Sequence, residues 1–137
     1  MNWRKWLYEQ LVSASAVTTL VPVPSIMAAG SLEGSPKNRP FILIRVGDEI
    51  PEMRDGGIPV ASSRSAAIWV YDEPGSYDLI DDILAAVRRT LTGPLPSFSG
   101  YPSGITAEWS GDSIELADDM LSAITRNGTY RLVGAVT

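Results

Sequence analysis

Apolar and polar positions follow two different periods along the chain, and the change from one to the other is sharpest between Ile68 and Leu91, IWVYDEPGSYDLIDDILAAVRRTL. Ile68 to Tyr71 is a run of β-branched and aromatic residues that fits a pleated, half-buried strand. Asp72-Glu73-Pro74-Gly75 breaks the run, because Pro removes a backbone donor and Gly supplies turn conformations. Ser76 is placed to cap a following helix. In that helix Leu79, Ile80, Ile83, Leu84, Val87 and Leu91 share one arc, and Asp78, Asp81, Asp82, Arg88 and Arg89 fill the rest. The acids lie in the first turn and the arginines near the last, as the helix dipole favours. Gly93-Pro94 ends it.

The same reading extends to the rest of the chain. Asn2 caps an amphipathic helix carrying Trp3, Trp6, Leu7, Leu11 and Ala14 on one face, and Val21-Pro22-Val23-Pro24 closes the helical region. Gly30 to Pro40 reads as a connecting loop. Phe41 to Asp48 and Ser63 to Tyr71 read as strands, and Glu49 to Ser62, with Gly56-Gly57, Pro51 and Pro59, as a long mobile hairpin loop between them. Residues 93–104 form a Pro/Gly/Ser loop holding Phe98 and Tyr101. Ile105 to Ser110 alternates with period two, and Gly111-Asp112 breaks it. Ser113 to Thr125 is ambiguous, although Leu116, Met120, Leu121 and Ile124 have helical spacing. Asn127-Gly128 signals a turn before a last strand, Thr129 to Val136. The order predicts an α+β domain of residues 1–137, with a mostly antiparallel sheet of about four strands and two main helices.

The two central strands are apolar on both faces, with Phe41 and Leu43 opposed to Ile42, Ile44 and Val46, and Trp69 and Tyr71 opposed to Ile68 and Val70. Helices covering both faces would explain this. So would a second subunit on one of them, and with only two clear helices an oligomer is the expectation.

Composition narrows the chemistry. The chain has no His, which removes the commonest general base and transition-metal ligand, and no Cys, which removes disulfides and thiolate sites. A formal net charge of −5 argues against wrapping a nucleic-acid backbone, although it suits a surface that DNA passes without being held. An apolar stretch from Leu11 to Leu20 behind Arg4 and Lys5 resembles a signal peptide in outline, but Tyr8, Glu9, Gln10 and several Ser and Thr residues interrupt it. Trp3 and Trp6 beside those cations suit an interfacial anchor, yet core or subunit packing is the commoner use of such a face. No run reaches the length of a membrane span.

Gly111-Asp112-Ser113-Ile114 has the outline of an esterase nucleophile block without its base. Asp112, Glu115, Asp118 and Asp119 offer oxygen ligands for a metal-dependent hydrolase, but without the spacing of a calcium loop. A solvated acidic edge is the plainer reading. The chain therefore reads as built for contact, with no catalytic residue, cofactor or metal expected. The candidate contact residues are Phe41, Leu43, Trp69 and Tyr71 on the doubly apolar strands, Arg54 and Asp55 in the loop joining them, Phe98, Tyr101 and Arg126.

Trp69-Val70-Tyr71-Asp72-Glu73-Pro74-Gly75-Ser76-Tyr77 leading into Ile80-Asp81 and Ile83, then Glu108-Trp109-Ser110-Gly111-Asp112-Ser113, Asp118-Asp119, and Thr125-Arg126 before Thr129-Tyr130-Arg131, resemble the tail-terminator family of long-tailed bacteriophages. The resemblance implies a small α+β subunit that forms a hexameric ring on the head-proximal end of the tail tube in the virion. Such a ring stops tube polymerisation, meets the major tail tube protein below and a head-completion or neck protein above, and lets DNA through its lumen without sequence-specific binding. A neck or head-closure subunit is the nearest alternative.

Overall fold

The computed structural model describes residues 2–28, 38–54, 58–93, 95, 98–101 and 104–135, with the backbone alone for 48–54, 58–62 and 135. Three helices, α1 (Trp3–Val12), α2 (Ser15–Thr18) and α3 (Asp78–Thr92), lie on one face of a sheet. Its strands are β1 (Ile26–Met27), β2 (Phe41–Arg54), β3 (Ile58–Asp72), β4 (Thr106–Asp112), β5 (Leu116–Asp118) and β6 (Ala123–Ala135). Strand order is β1-β2-β3-β6-β4, with β5 on the same side of β6 as β4 but nearer its start. Among the described residues only the short β1–β2 pair is parallel. The class is α+β, as the pattern predicts, with more strands than the expected four.

The sheet has two unlike faces because side chains alternate along each strand. Ile42 and Ile44 of β2, Ala66, Ile68 and Val70 of β3, and Ile124, Tyr130 and Leu132 of β6 point towards the helices. There they meet Trp3, Trp6, Leu7 and Leu11 of α1 and Ile80, Ile83, Leu84, Val87 and Leu91 of α3. Trp3 and Trp6 pack edge to face at 6.3 Å. Asn2 caps α1, its side-chain oxygen accepting the Lys5 N–H at 2.9 Å. The Ser76 hydroxyl accepts the Asp78 N–H at 3.1 Å, so the expected contact forms, although the cap position itself is Tyr77.

Four boundaries differ from the sequence reading. The segment read as a long hairpin loop is mostly strand, since β2 runs on to Arg54 and β3 begins at Ile58; residues 55–57 of that loop lie outside the described residues. Asn127-Gly128 is no turn, because β6 passes straight through it, pairing Gly128 with Ile68 on one side and Asp112 on the other. A Cβ there would sit 3.0 Å from Asp112 Oδ1 and 3.4 Å from the Tyr130 ring, so the glycine serves close packing. Gly111-Asp112 stays within β4 as a bulge, with Gly111 at φ +127°. Finally, residues 113–125 hold β5 and a turn, with no helix.

That turn is fastened from the other side of the sheet. Arg39 donates from Nη1 to the Ser122 carbonyl at 2.9 Å and from Nη2 to the Leu121 carbonyl, and pairs with Glu73 at 3.5 Å. Asp118 Oδ1 accepts the Leu121 N–H at 3.1 Å. Leu121 is thereby held against Phe41, Leu43, Tyr71 and Ala123, a second small core on the face away from the helices.

Candidate interaction surface

Only part of that second face is covered. Phe41 and Tyr71, directly opposed on β2 and β3, stack at 4.7 Å with ring planes 11° apart, and Trp69 continues the stack at 6.4 Å. Beside them lies an open hollow of about 440 Å³, lined by Arg45, Trp69, Tyr71, Thr125 and the stretch from Leu116 to Met120. Met120 on its rim is 97% exposed, and Ile114, just before β5, is 77% exposed. Burial, and then the nearby Asp118 carboxylate, push the Tyr71 hydroxyl above its usual range, while Arg45 and Thr125 oppose them. Trp69 and Met120 give the hollow apolar walls, and Arg45, Asp118 and Asp119 give it mixed charge, which is the make-up of a protein contact.

An exposed aromatic, Trp109, sits at the β4 edge. Arg88 of α3 lies 4.5 Å over the Trp109 ring, and the indole N–H donates to Asp112 Oδ1 at 3.0 Å. Trp109 remains 43% exposed although both its ring face and its nitrogen are engaged. The bulge between Trp109 and Gly111 brings Asp112 within reach.

The structure places the sequence candidates unevenly. Phe41, Leu43 and Tyr71 are buried within the subunit, at 2%, 0% and 5% exposure, so they support the open face from beneath. Trp69 is half-buried and faces the hollow. Phe98 and Tyr101 pack against the main core. Arg126 is taken up inside the subunit, donating to the Ser113 carbonyl at 3.0 Å and pairing with Asp81, which ties β6 to α3. Arg54 ends β2, its side chain outside the description, and Asp55 lies outside the described residues. Arg45, Arg88 and Met120 belong to these surfaces without having been singled out. Their signal was faint, because a lone cation on a strand or a Met beside acids looks like any solvated position.

The four acids considered for a metal are not gathered. Asp112 accepts from the indole and Asp118 from the turn, and among the described residues no group of three or more acids could hold an ion. No described helix is long and apolar enough to cross a membrane.

Comparison with solved structures adds one finding. The fold is that of a virion chain. A chain of the "Virion of native gene transfer agent (GTA) particle" superposes with a TM-score of 0.73 at 15% identity, covering 98% of this chain and 95% of that one. At that identity the likeness is one of fold. No protein-family model matches the chain, and no curated protein does.

Proposed function

We propose that this chain is a non-enzymatic structural subunit of a virion: a tail terminator that sits as a hexameric ring on the head-proximal end of the tail tube. The ring stops tube polymerisation and forms the joint with the head, touching the major tail tube protein on one side and a head-completion or neck protein on the other, with DNA passing through its lumen. The observation that carries this reading is the match in fold to a virion chain over almost the full length of both chains. The sequence resemblance points the same way, and so do a sheet face that the subunit's own helices leave open and an acid-rich composition that disfavours holding DNA.

Electron microscopy of particles lacking this protein tests the role. The expected result is tails of uncontrolled length that fail to join heads. Normal joined tails would refute the proposal, and tails of normal length that stay separate would move the chain to the neck.

A further inference from the structure

The hairpin of β2 and β3 is not a plain ladder. Between the Val46–Ala66 and Glu49–Arg64 pairs, β2 sets two residues, Gly47 and Asp48, against the single Ser65, and between the Glu52–Ala61 and Met53–Pro59 pairs β3 carries the extra Val60. Each is a bulge, which bends the strand that carries it and sharpens its twist. The first lies at the edge of the helix-covered region, since among the described side chains the helix-side core reaches Ile44 and Val46 on β2 and Ala66 on β3. Beyond it the hairpin continues as a ribbon. A Cβ on Gly47 would meet the Ser65 hydroxyl at 2.3 Å, so any side chain there would have to displace that hydroxyl.

Arg64, next to Ser65, reaches back across this bulge and gives its Nε–H to the Gly47 carbonyl at 2.6 Å. The same side chain lines a hollow with Asn2, Trp3, Arg4 and Val46, which places it beside the start of α1. Trp3 is firmly seated there. It is 2% exposed and lies over Gly134 of β6, where a Cβ would come within 2.9 Å of its ring. One arginine thus joins the root of the ribbon to the body of the subunit. The register sets Glu49 across from Arg64, so a test has to separate the arginine's charge from its bond.

We propose that Arg64 is a clamp that fixes the angle at which the β2–β3 ribbon leaves the sheet, by holding the Gly47 carbonyl beside the start of α1. A two-stranded ribbon is marginally stable on its own and twists more than a wider sheet, so its direction is set at its root. Held at one angle, it meets a binding partner already ordered, which removes part of the entropic cost of association. The clamp belongs to the single subunit and operates whatever that subunit assembles with.

The isolated chain therefore carries the test. It has no Cys, so spin labels on Glu52→Cys in the ribbon and Asp82→Cys on the exposed side of α3 report a single distance by pulsed electron paramagnetic resonance. With Arg64 in place the distance distribution should be one narrow peak. Adding Arg64→Met, which keeps the stem and removes the donor, should abolish that peak in favour of a broad distribution. Arg4→Met takes a charge from the same hollow without touching the bond, and the peak should stay narrow. Circular dichroism checks folding, and Arg64→Gln takes the place of Arg64→Met if the latter does not fold; loss of the fold in both would overturn the proposal, because a clamp on the ribbon leaves the core intact. A bond that only stabilises the subunit would lower the urea midpoint and leave the peak narrow, which would overturn it too. So would a broad distribution with Arg64 present, or equal broadening by Arg4→Met.

Discussion

Tyr130 is the most consequential buried polar residue. Its hydroxyl is buried without a hydrogen-bond partner in the structure, close to Asp112, and burial followed by that carboxylate pushes its ionisation far above the usual tyrosine range. An unsatisfied buried hydroxyl costs about 1–3 kcal/mol, so Tyr130→Phe should leave stability unchanged or raise it by about 1 kcal/mol in urea unfolding. A loss larger than that would mean the hydroxyl is satisfied in solution by a bound water. Alkaline behaviour follows from the same residue. A tyrosine whose folded pKa lies above its unfolded value of about 10 contributes nothing pH-dependent below that value and loses stability as pH rises beyond it. Tyr71, shifted in the same direction, adds to the loss. Urea midpoints should therefore fall above about pH 10, and fall less in the Tyr71→Phe, Tyr130→Phe double variant. Gly134 gives a steric counterpart. A Cβ at that position would come within 2.9 Å of the buried Trp3 ring, so Gly134→Ala should destabilise by about 1–3 kcal/mol through overpacking between α1 and β6.

Among the elements, those with a single strong period were the easiest to read. In α3 the apolar arc, the acidic first turn and the terminal glycine agree with one another, and α1 carries its Asn2 cap. The misread segments share a physical cause: a local signal was overruled by partners distant in sequence. Asn127-Gly128 has turn chemistry, yet neighbours on both sides of β6 hold it extended. Leu116, Met120, Leu121 and Ile124 have helical spacing, yet the structure sends Leu121 to the second core, Ile124 to the first and Met120 to solvent. On the open face Trp69 and Tyr71 were legible, while most of the lining, Leu116 to Met120, comes from that misread segment. Arg39 is what fastens the turn, so Arg39→Ala should cost about 1.5–3 kcal/mol, the range for hydrogen bonds to a charged group. Hydrogen exchange should accelerate at Leu121 and Ser122 while α3 stays protected; equal acceleration throughout would show that the turn is no separate unit.

At the scale of the whole molecule, the β2–β3 hairpin reaches past the described part of β6. Among the described residues its pairing continues to Arg54 opposite Ile58, whereas that of β3 with β6 is followed as far as Ala61 opposite Ala135. Among the described residues no third strand flanks that tip, and a two-stranded ribbon is at best marginally stable alone. A ribbon that adds little to the subunit's own stability is suited to being completed by something outside it, and in the proposed ring the candidates are a neighbouring copy and the tail tube. Joining Met53 to Pro59 through an Asn-Gly turn, which favours a tight hairpin, removes the tip without touching the main core. Stability should change by no more than about 1 kcal/mol, as expected for a change remote from buried contacts. Capping of tail tubes, scored by electron microscopy against the wild-type chain, should fall sharply. Unimpaired capping would make the tip dispensable, and loss of the folded subunit would place it within the core it is drawn as leaving.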